Sequence, residues 1–243
     1  GQIIPWNFPL LMAARKAPVA LLAGNTTLIK PAPTTPLTTL RLGELCAEIF
    51  PAGVVNIITD QNDLGGVLTN HPDIAKISFT GSTAVGRIVA RAAATHLTPT
   101  LLELGGKSPV IVMPEVNLDV TAKRLAWGKG LNAGQTCVAP DYVLVDRRHQ
   151  AELVDRLVRA LRGFYGPDPS TSPDLAQIVN ERHADRLRTL LADHGGTVAC
   201  GGEINPATRK LAPTVVVDPD PSSALMQEEI FGPILPVLAV DDV

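Results

Sequence analysis

A cysteine closes the segment NAGQTC (132–137) and is the first candidate for chemistry in this chain. Gly134 allows a sharp backbone turn just before Cys137. Backbone N–H groups at such a turn or at a helix start can stabilise a thiolate and later an oxyanion. The pattern therefore fits a nucleophile. The alternative is a small, inert core side chain, which is the more common role of an isolated cysteine.

Two other polar residues could act on a carbonyl group. Glu103 ends an apolar run just before Gly105 and Gly106. A carboxylate that is partly removed from water has a raised pKa and can act as a general base. The residues alone favour the alternative, a Glu at a strand end that faces water. Asn7 lies between the prolines of PWNFP (5–9), where its amide could donate to an oxyanion or cap the next helix.

The segment FTGSTAVG (79–86) could bind a phosphate. It follows a strand-like run and opens a helix; Gly81 permits close backbone approach, and Ser82 can cap the helix. A helix N-terminus offers N–H groups and a positive dipole end to an anion. The spacing matches neither the dinucleotide fingerprint nor a P-loop. An ordinary strand–turn–helix with glycines for packing is an equally good interpretation.

The elements that must position these residues alternate along the chain. Short runs rich in β-branched residues predict strands, and apolar side chains at helical spacing predict helices between them. This alternation predicts an α/β fold with a parallel sheet, and LGGKSP (104–109) is the predicted boundary between two lobes. The predicted strands are 53–58, 75–81, 99–104, 108–113, 141–146 and 213–218; the predicted helices are 36–49, 84–94, 118–131, 149–163 and 181–194.

Composition excludes several classes of protein. The 243 residues are 45% apolar and carry a formal net charge of −3, which argues against a nucleic-acid partner. No apolar run approaches the roughly 20 residues of a membrane span, and no signal peptide is recognisable. We therefore expect a soluble, cytoplasmic protein. Cys46, Cys137 and Cys200 are too widely spaced for a disulfide framework or a metal site. The chain begins without Met and ends without a closing helix, so we expect an internal piece of a longer protein.

Six motifs, taken in order, closely resemble the aldehyde dehydrogenase superfamily across essentially the whole chain. The segment CVAPDYVL (137–144) resembles its class 3 branch. The resemblance implies a Rossmann-like parallel-sheet cofactor domain within 1–106 and an α/β catalytic domain within 107–243, both incomplete. The six motifs are PWNFP, KPAPTTP, FTGSTAVG, ELGGKSP, GQTC and EEIFGP.

The resemblance also implies a role for each catalytic residue. Cys137 would attack an aldehyde carbonyl, while the Asn7 amide and the Cys137 N–H hold the resulting oxyanion. Hydride would pass to NAD or NADP, and Glu103 would activate the water that hydrolyses the thioester. No metal is implied. The residues implied in cofactor binding are Lys30 and Glu229 at ribose hydroxyls, Gly81 and Ser82 at the pyrophosphate, and Ile4, Trp6, Val85 and Phe231 along the channel.

One departure from the family pattern concerns the nucleotide. Pro33 stands where many members have a Glu that contacts the adenosine ribose. Without that carboxylate a 2′-phosphate is less strongly excluded, so NADP stays open, although NAD is expected first. The expected partner is a small-molecule aldehyde, and the whole protein is expected to form a homodimer or homotetramer.

Two alternatives to a hydrolytic dehydrogenase remain at this point. The first is a CoA-acylating relative; such enzymes generally lack a base at the position of Glu103, so its presence favours hydrolysis. The second is a non-catalytic scaffold of the same fold. The presence of Cys137, Asn7 and Glu103 together argues against it.

Overall fold

A computed structural model describes residues 1–241 of the chain, which forms two compact units that meet in sequence at Gly105 and Gly106. Residues 242 and 243, the end of the predicted catalytic part, lie outside the described range. Helices and strands alternate in both units, which confirms the predicted α/β class.

The first unit contains a sheet of five parallel strands in the order β3-β2-β1-β4-β5. Each strand leads into the next through a helix, as parallel pairing requires. The strand order reverses between β1 and β4, so a crevice opens at their carboxyl ends, which is the ligand-binding position of Rossmann-like sheets. The elements are β1 (Gln2–Ile3), α1 (Pro9–Leu22), β2 (Thr27–Lys30), α2 (Leu37–Ala47), β3 (Val55–Ile57), α3 (Leu64–Thr69), β4 (Ile77–Gly81), α4 (Thr83–Ala94) and β5 (Thr100–Leu104).

The second unit contains a five-stranded sheet in the order β6-β7-β12-β11-β8, parallel except for β8. Strands β9 and β10 form a small antiparallel pair. The elements are β6 (Pro109–Val112), α5 (Leu118–Gly130), β7 (Tyr142–Asp146), α6 (Arg147–Tyr165), α7 (Glu181–Ala192), β8 (Thr197–Cys200), β9 (Ile204–Asn205), β10 (Lys210–Leu211), β11 (Thr214–Val217), α8 (Ala224–Gln227) and β12 (Ile234–Val240).

The core of the second unit shows why its helices form where the sequence predicts them. Leu153, Leu157 and Leu161 recur at helical spacing on α6, and all three are buried against the sheet and α5. Asn117 accepts hydrogen bonds from the N–H groups of Asp119 and Val120, which confirms it as the predicted N-cap of α5. A second cluster packs α7 and α8 against β11 and β12.

Every predicted strand and helix is present, with ends shifted by a few residues. The longest elements that the sequence patterns did not predict are α1 and β12. Each contains a proline, Pro18 and Pro236, a residue that normally argues against a helix interior or a central strand. None of the helices within residues 1–241 has both the length and the apolar character of a transmembrane helix.

The connection from α5 to β7 passes through an unusual left-handed turn. Asn132, Ala133 and Gly134 have φ values of 51°, 53° and 69°. A Cβ at Gly134 would lie 2.3 Å from the carbonyl oxygen of Gly232, which stands just before β12. The contact therefore requires glycine at position 134, and the positive φ angle also favours it.

Gly134→Ala should lower the free energy of unfolding by about 2–4 kcal/mol, because it adds left-handed strain to a clash with backbone. Urea unfolding of the whole protein measures the change. Gly163→Ala is the matched control, since Gly163 lies in α6 with open space at its Cβ. This control should raise stability by roughly 0.5–1 kcal/mol. Equal effects of the two substitutions would contradict the structural requirement at Gly134.

Candidate functional site

Cys137 lies on a turn rather than in a helix or strand. The turn is closed by a hydrogen bond from the Ala139 N–H to the Thr136 carbonyl at 3.1 Å, and Cys137 is half-buried there. Cys46 lies in α2, and Cys200 lies in β8 against the core. Burial raises the pKa of the Cys200 thiol, which opposes thiolate formation and fits a structural role.

Gln135 fixes the turn that leads to Cys137. Its side-chain Nε2 donates to the carbonyls of Asn132 at 2.9 Å and Gln177 at 3.0 Å. Its Oε1 accepts from the N–H of Val179 at 3.0 Å. The side chain therefore ties the left-handed turn to the segment before α7. Gln135 lies within the GQTC motif, but its residue type and position gave no sign of this role.

Glu229 and Phe231 lie on a connection next to the one that carries Cys137. Cys137 precedes β7 and these two residues precede β12, and the two strands are parallel neighbours. The Gly134–Gly232 contact joins the two connections directly. Glu229 is half-buried, and this burial raises the pKa of its carboxyl, while an N–H hydrogen bond from Gly106 acts in the opposite direction.

A group of charged residues in the same unit was not foreseen from the sequence. Lys107 forms an ion pair with Asp141, whose other oxygen accepts the Ile230 N–H at 3.0 Å. Lys129 is 3% exposed, and burial lowers its pKa to about 8, while the negative charges of Asp141 and Glu229 act in the opposite direction. Lys107 and Asp141 contact the backbone on either side of Glu229.

The first unit gathers most of the other predicted residues at one edge of its sheet. Ile4, Trp6 and Asn7 follow β1, and Gly81 and Ser82 stand at the end of β4. Since β1 and β4 are adjacent and parallel, their carboxyl ends flank the point where the strand order reverses. Phe8 is the N-cap residue of helix α1, and its side chain makes no capping hydrogen bond.

The start of α4 has the features predicted for it. Ser82 is the N-cap, and its Oγ accepts from the Val85 N–H at 3.4 Å. Ser82 and Val85 are exposed. A Cβ at Gly81 would lie 2.6 Å from the Phe79 ring, and one at Gly86 would lie 2.6 Å from Leu104. Both glycines therefore serve packing, as the alternative interpretation holds, and the exposed helix start remains accessible to an anion.

Lys30 ends β2 and is buried. Its Nζ donates to Asp60 at 2.6 Å, and the Asp60 side chain is fully buried. Burial opposes ionisation of Asp60, but the hydrogen bonds from Lys30 and from the Leu64 N–H outweigh it and lower the pKa of this carboxyl. An ammonium group has three donors, so Lys30 can serve a further oxygen acceptor. Asp60 was not singled out from the sequence.

Glu103 lies in a solvent-exposed environment. It lies on β5, the edge strand of the first sheet, and its side chain is exposed together with that of Leu101. This agrees with the interpretation that the residues alone favour, a Glu that faces water, and not with the partly buried general base. Leu101 and Glu103 are two residues apart, so both side chains lie on the same, uncovered face of β5. Within residues 1–241, His, Cys, Asp and Glu side chains form no group of three or more that could hold a metal ion.

Comparison with known proteins places the chain in a family. The family model described as "Aldehyde dehydrogenase family" matches residues 1–243. Aldehyde dehydrogenase family 3 member A2 of Mus musculus is 42% identical over 98% of this chain and 49% of its own length. The dimeric NADP-preferring aldehyde dehydrogenase of Rattus norvegicus is 42% identical over 97% of this chain and 51% of its own length.

A solved structure agrees with this result. The substrate-bound state of Staphylococcus aureus AldH superimposes with a TM-score of 0.91 at 40% identity, covering 99% of this chain and 52% of that one. The present chain thus spans about half the length of the relatives it matches. The resemblance of its motifs, the two α/β units and the family match over all 243 residues lead to one conclusion: the chain belongs to the aldehyde dehydrogenase family of oxidoreductases.

Proposed function

We propose that the whole protein oxidises an aldehyde to a carboxylic acid with NAD or NADP, and that Cys137 is its nucleophile. The observation that carries this proposal is the placement of Cys137 on a turn pinned by Gly134 and Gln135, next to the Glu229–Gly232 segment. The other two cysteines lie in a regular helix and strand. A buried, inert thiol would need no such turn.

The proposed chemistry starts with addition of the Cys137 sulfur to the aldehyde carbonyl. The carbonyl oxygen becomes an alkoxide, which the Asn7 amide and the Cys137 N–H stabilise by donating hydrogen bonds. This covalent adduct is a much better hydride donor than the aldehyde itself. Its oxidation leaves a thioester on Cys137. Glu103 then takes a proton from the water that attacks the thioester, and the acid and the Cys137 thiol are released. Because the Glu103 side chain is exposed, water can reach it.

Several features of the first unit fit a dinucleotide. The strand order reverses between β1 and β4, which is where Rossmann-like sheets bind a dinucleotide. The exposed N-terminus of α4 offers N–H groups to a pyrophosphate. NAD(P)+, when bound, supplies the hydride acceptor. We propose that the first unit holds the nucleotide and that the second supplies the nucleophile. The cofactor residues are Gly81 and Ser82 at the pyrophosphate, Lys30 and Glu229 at ribose hydroxyls, and Ile4, Trp6, Val85 and Phe231 along the channel.

The nucleotide preference and the assembly are parts of the same proposal. Pro33 occupies the first position after Ala32 in a turn closed by the Thr35 N–H, and no carboxylate replaces the missing Glu at this position. One relative is named dimeric and NADP-preferring. This name supports measuring activity with both nucleotides, and it keeps both a homodimer and a homotetramer in the proposal. NAD remains the first expectation, and a cytoplasmic location remains a prediction.

Cys137→Ala should abolish both aldehyde oxidation and ester hydrolysis, with a loss of at least about 10³-fold, because both reactions need the covalent adduct. NAD(P)H formation from a panel of aldehydes, with and without CoA, measures the first activity, and a chromogenic ester measures the second. Cys200→Ala is the control and should retain both activities within a few fold. Full activity of Cys137→Ala would refute the mechanism, and turnover that depends on CoA would replace hydrolysis by acyl transfer.

Glu103→Gln should leave formation of the thioester nearly unchanged and slow its hydrolysis by about 10²-fold or more, because the amide cannot accept the water's proton. Stopped-flow measurement should then show a burst of NAD(P)H equal to the enzyme concentration, followed by a slow steady state. Glu48→Gln, at an exposed site in the same unit, should show wild-type kinetics. Loss of the burst itself would move Glu103 to an earlier step.

Pro33→Glu should lower kcat/KM for NADP relative to NAD by about tenfold, because a carboxylate at this position would repel a 2′-phosphate and accept a hydrogen bond from a 2′-hydroxyl. Steady-state kinetics with both nucleotides measures the ratio. Pro33→Gln controls for loss of the proline itself. A preference that stays the same in Pro33→Glu would place the adenosine ribose elsewhere.

A further inference from the structure

Three side chains from other elements hold the backbone of residues 228–231, named here the 228–231 loop. Arg186 of α7 donates from Nη1 to the Glu229 carbonyl at 3.1 Å and from Nη2 to the Ile230 carbonyl. Lys107 donates to the Glu228 carbonyl at 2.8 Å. Asp141 accepts from the Ile230 N–H. Three successive peptide groups are therefore held by charged groups.

The 228–231 loop needs this support because its own conformation is strained. Phe231 has a φ of 48°, an uncommon value for a residue with a large side chain. Such a conformation is unfavourable and persists only where its surroundings fix it. Hydrogen bonds to charged groups are among the stronger ones in proteins, and the Arg186 side chain is only 30% exposed, so its bonds are partly shielded from water.

The side chains that the loop carries are those proposed to meet the nucleotide. The Glu229 carboxylate accepts a hydrogen bond from the Gly106 N–H, so the residue is held at both its carbonyl and its carboxylate. Phe231 is the next residue after Ile230, whose carbonyl accepts from Arg186. The direction of both side chains thus depends on where the Glu229 and Ile230 peptides are fixed.

We infer that Arg186 is a positioning residue for the nucleotide site: its guanidinium fork fixes the Glu229 and Ile230 carbonyls and so directs the Glu229 carboxylate and the Phe231 ring. The inference rests on the proposed function, because it assumes that these two side chains meet NAD(P). It does not extend to Cys137, whose turn is held by Gln135 and by the backbone contact between Gly134 and Gly232, neither of which involves Arg186.

Arginine suits this task for a geometric reason. Its planar fork presents two terminal nitrogens to two neighbouring carbonyls at once, which the single ammonium group of lysine does not reproduce. Arg188, on the same helix, offers a matched comparison. It forms ion pairs with Glu181 and Asp185 of its own helix, and neither partner lies in the 228–231 loop.

The test compares Arg186→Leu, Arg186→Lys and Arg188→Leu in the whole protein. Hydrogen exchange of peptides spanning 225–232, without nucleotide, should be at least about tenfold faster in Arg186→Leu and unchanged in Arg188→Leu. The KM for NAD(P)+ should rise about ten- to hundredfold in Arg186→Leu and less in Arg186→Lys, while hydrolysis of a chromogenic ester stays within about threefold.

The outcomes separate this inference from the proposed function. Unchanged exchange in the 225–232 peptides, or an unchanged KM for nucleotide, would overturn the inference. An equal loss of nucleotide-dependent and ester activities would also overturn it, because Arg186 would then merely support the whole unit. If the wild-type protein oxidises no aldehyde, the proposed function fails; the inference is then decided by the exchange rates together with the Kd for NADPH, measured by its fluorescence.

Discussion

Gly134 lies so close to the Gly232 carbonyl that no residue with a Cβ would fit there. This contact between two backbones sets the geometry of much of the second unit. The connection before β7 carries Cys137, the connection before β12 carries Glu229, and the glycines let the two touch. Gly232 is itself confined, since its own Cβ would lie 2.4 Å from Leu187 on α7. The connection before β7, the connection before β12 and helix α7 therefore pack together at two glycines, where a Cβ would not fit.

The two units position their polar residues by different physical means. In the first unit, parallel strands end together, so residues far apart in sequence reach one edge of the sheet simply by following β1, β2 and β4. In the second unit, the important residues lie before strands β7 and β12, on connections with left-handed backbone. Regular structure does not fix such connections. Charged and amide side chains do so instead, through Gln135, Lys107, Asp141 and Arg186.

This difference explains how far the sequence could predict the structure. Elements with a clean apolar period, such as α6 and α7, were predicted because their pattern is local. Helix α1 and strand β12 were not, since Pro18 and Pro236 weaken the local pattern while distant packing stabilises the element. The site follows the same rule. The ordered motifs single out Cys137 and Glu229 as candidates, but Arg186 donates to its two carbonyls across more than forty residues of sequence. The exposure of Glu103 depends on which face of β5 is left uncovered, which no run of residues encodes.

The Lys30–Asp60 pair has a consequence for the strength of ligand binding. A free lysine side chain occupies many rotamers and loses up to about 2 kcal/mol of conformational entropy when a ligand orders it. Asp60, fully buried and itself held by the Leu64 N–H, has already placed the Lys30 ammonium at the end of β2. The entropy of ordering this cation is therefore lost on folding, and the proposed ribose hydroxyl would meet a donor that is already in place.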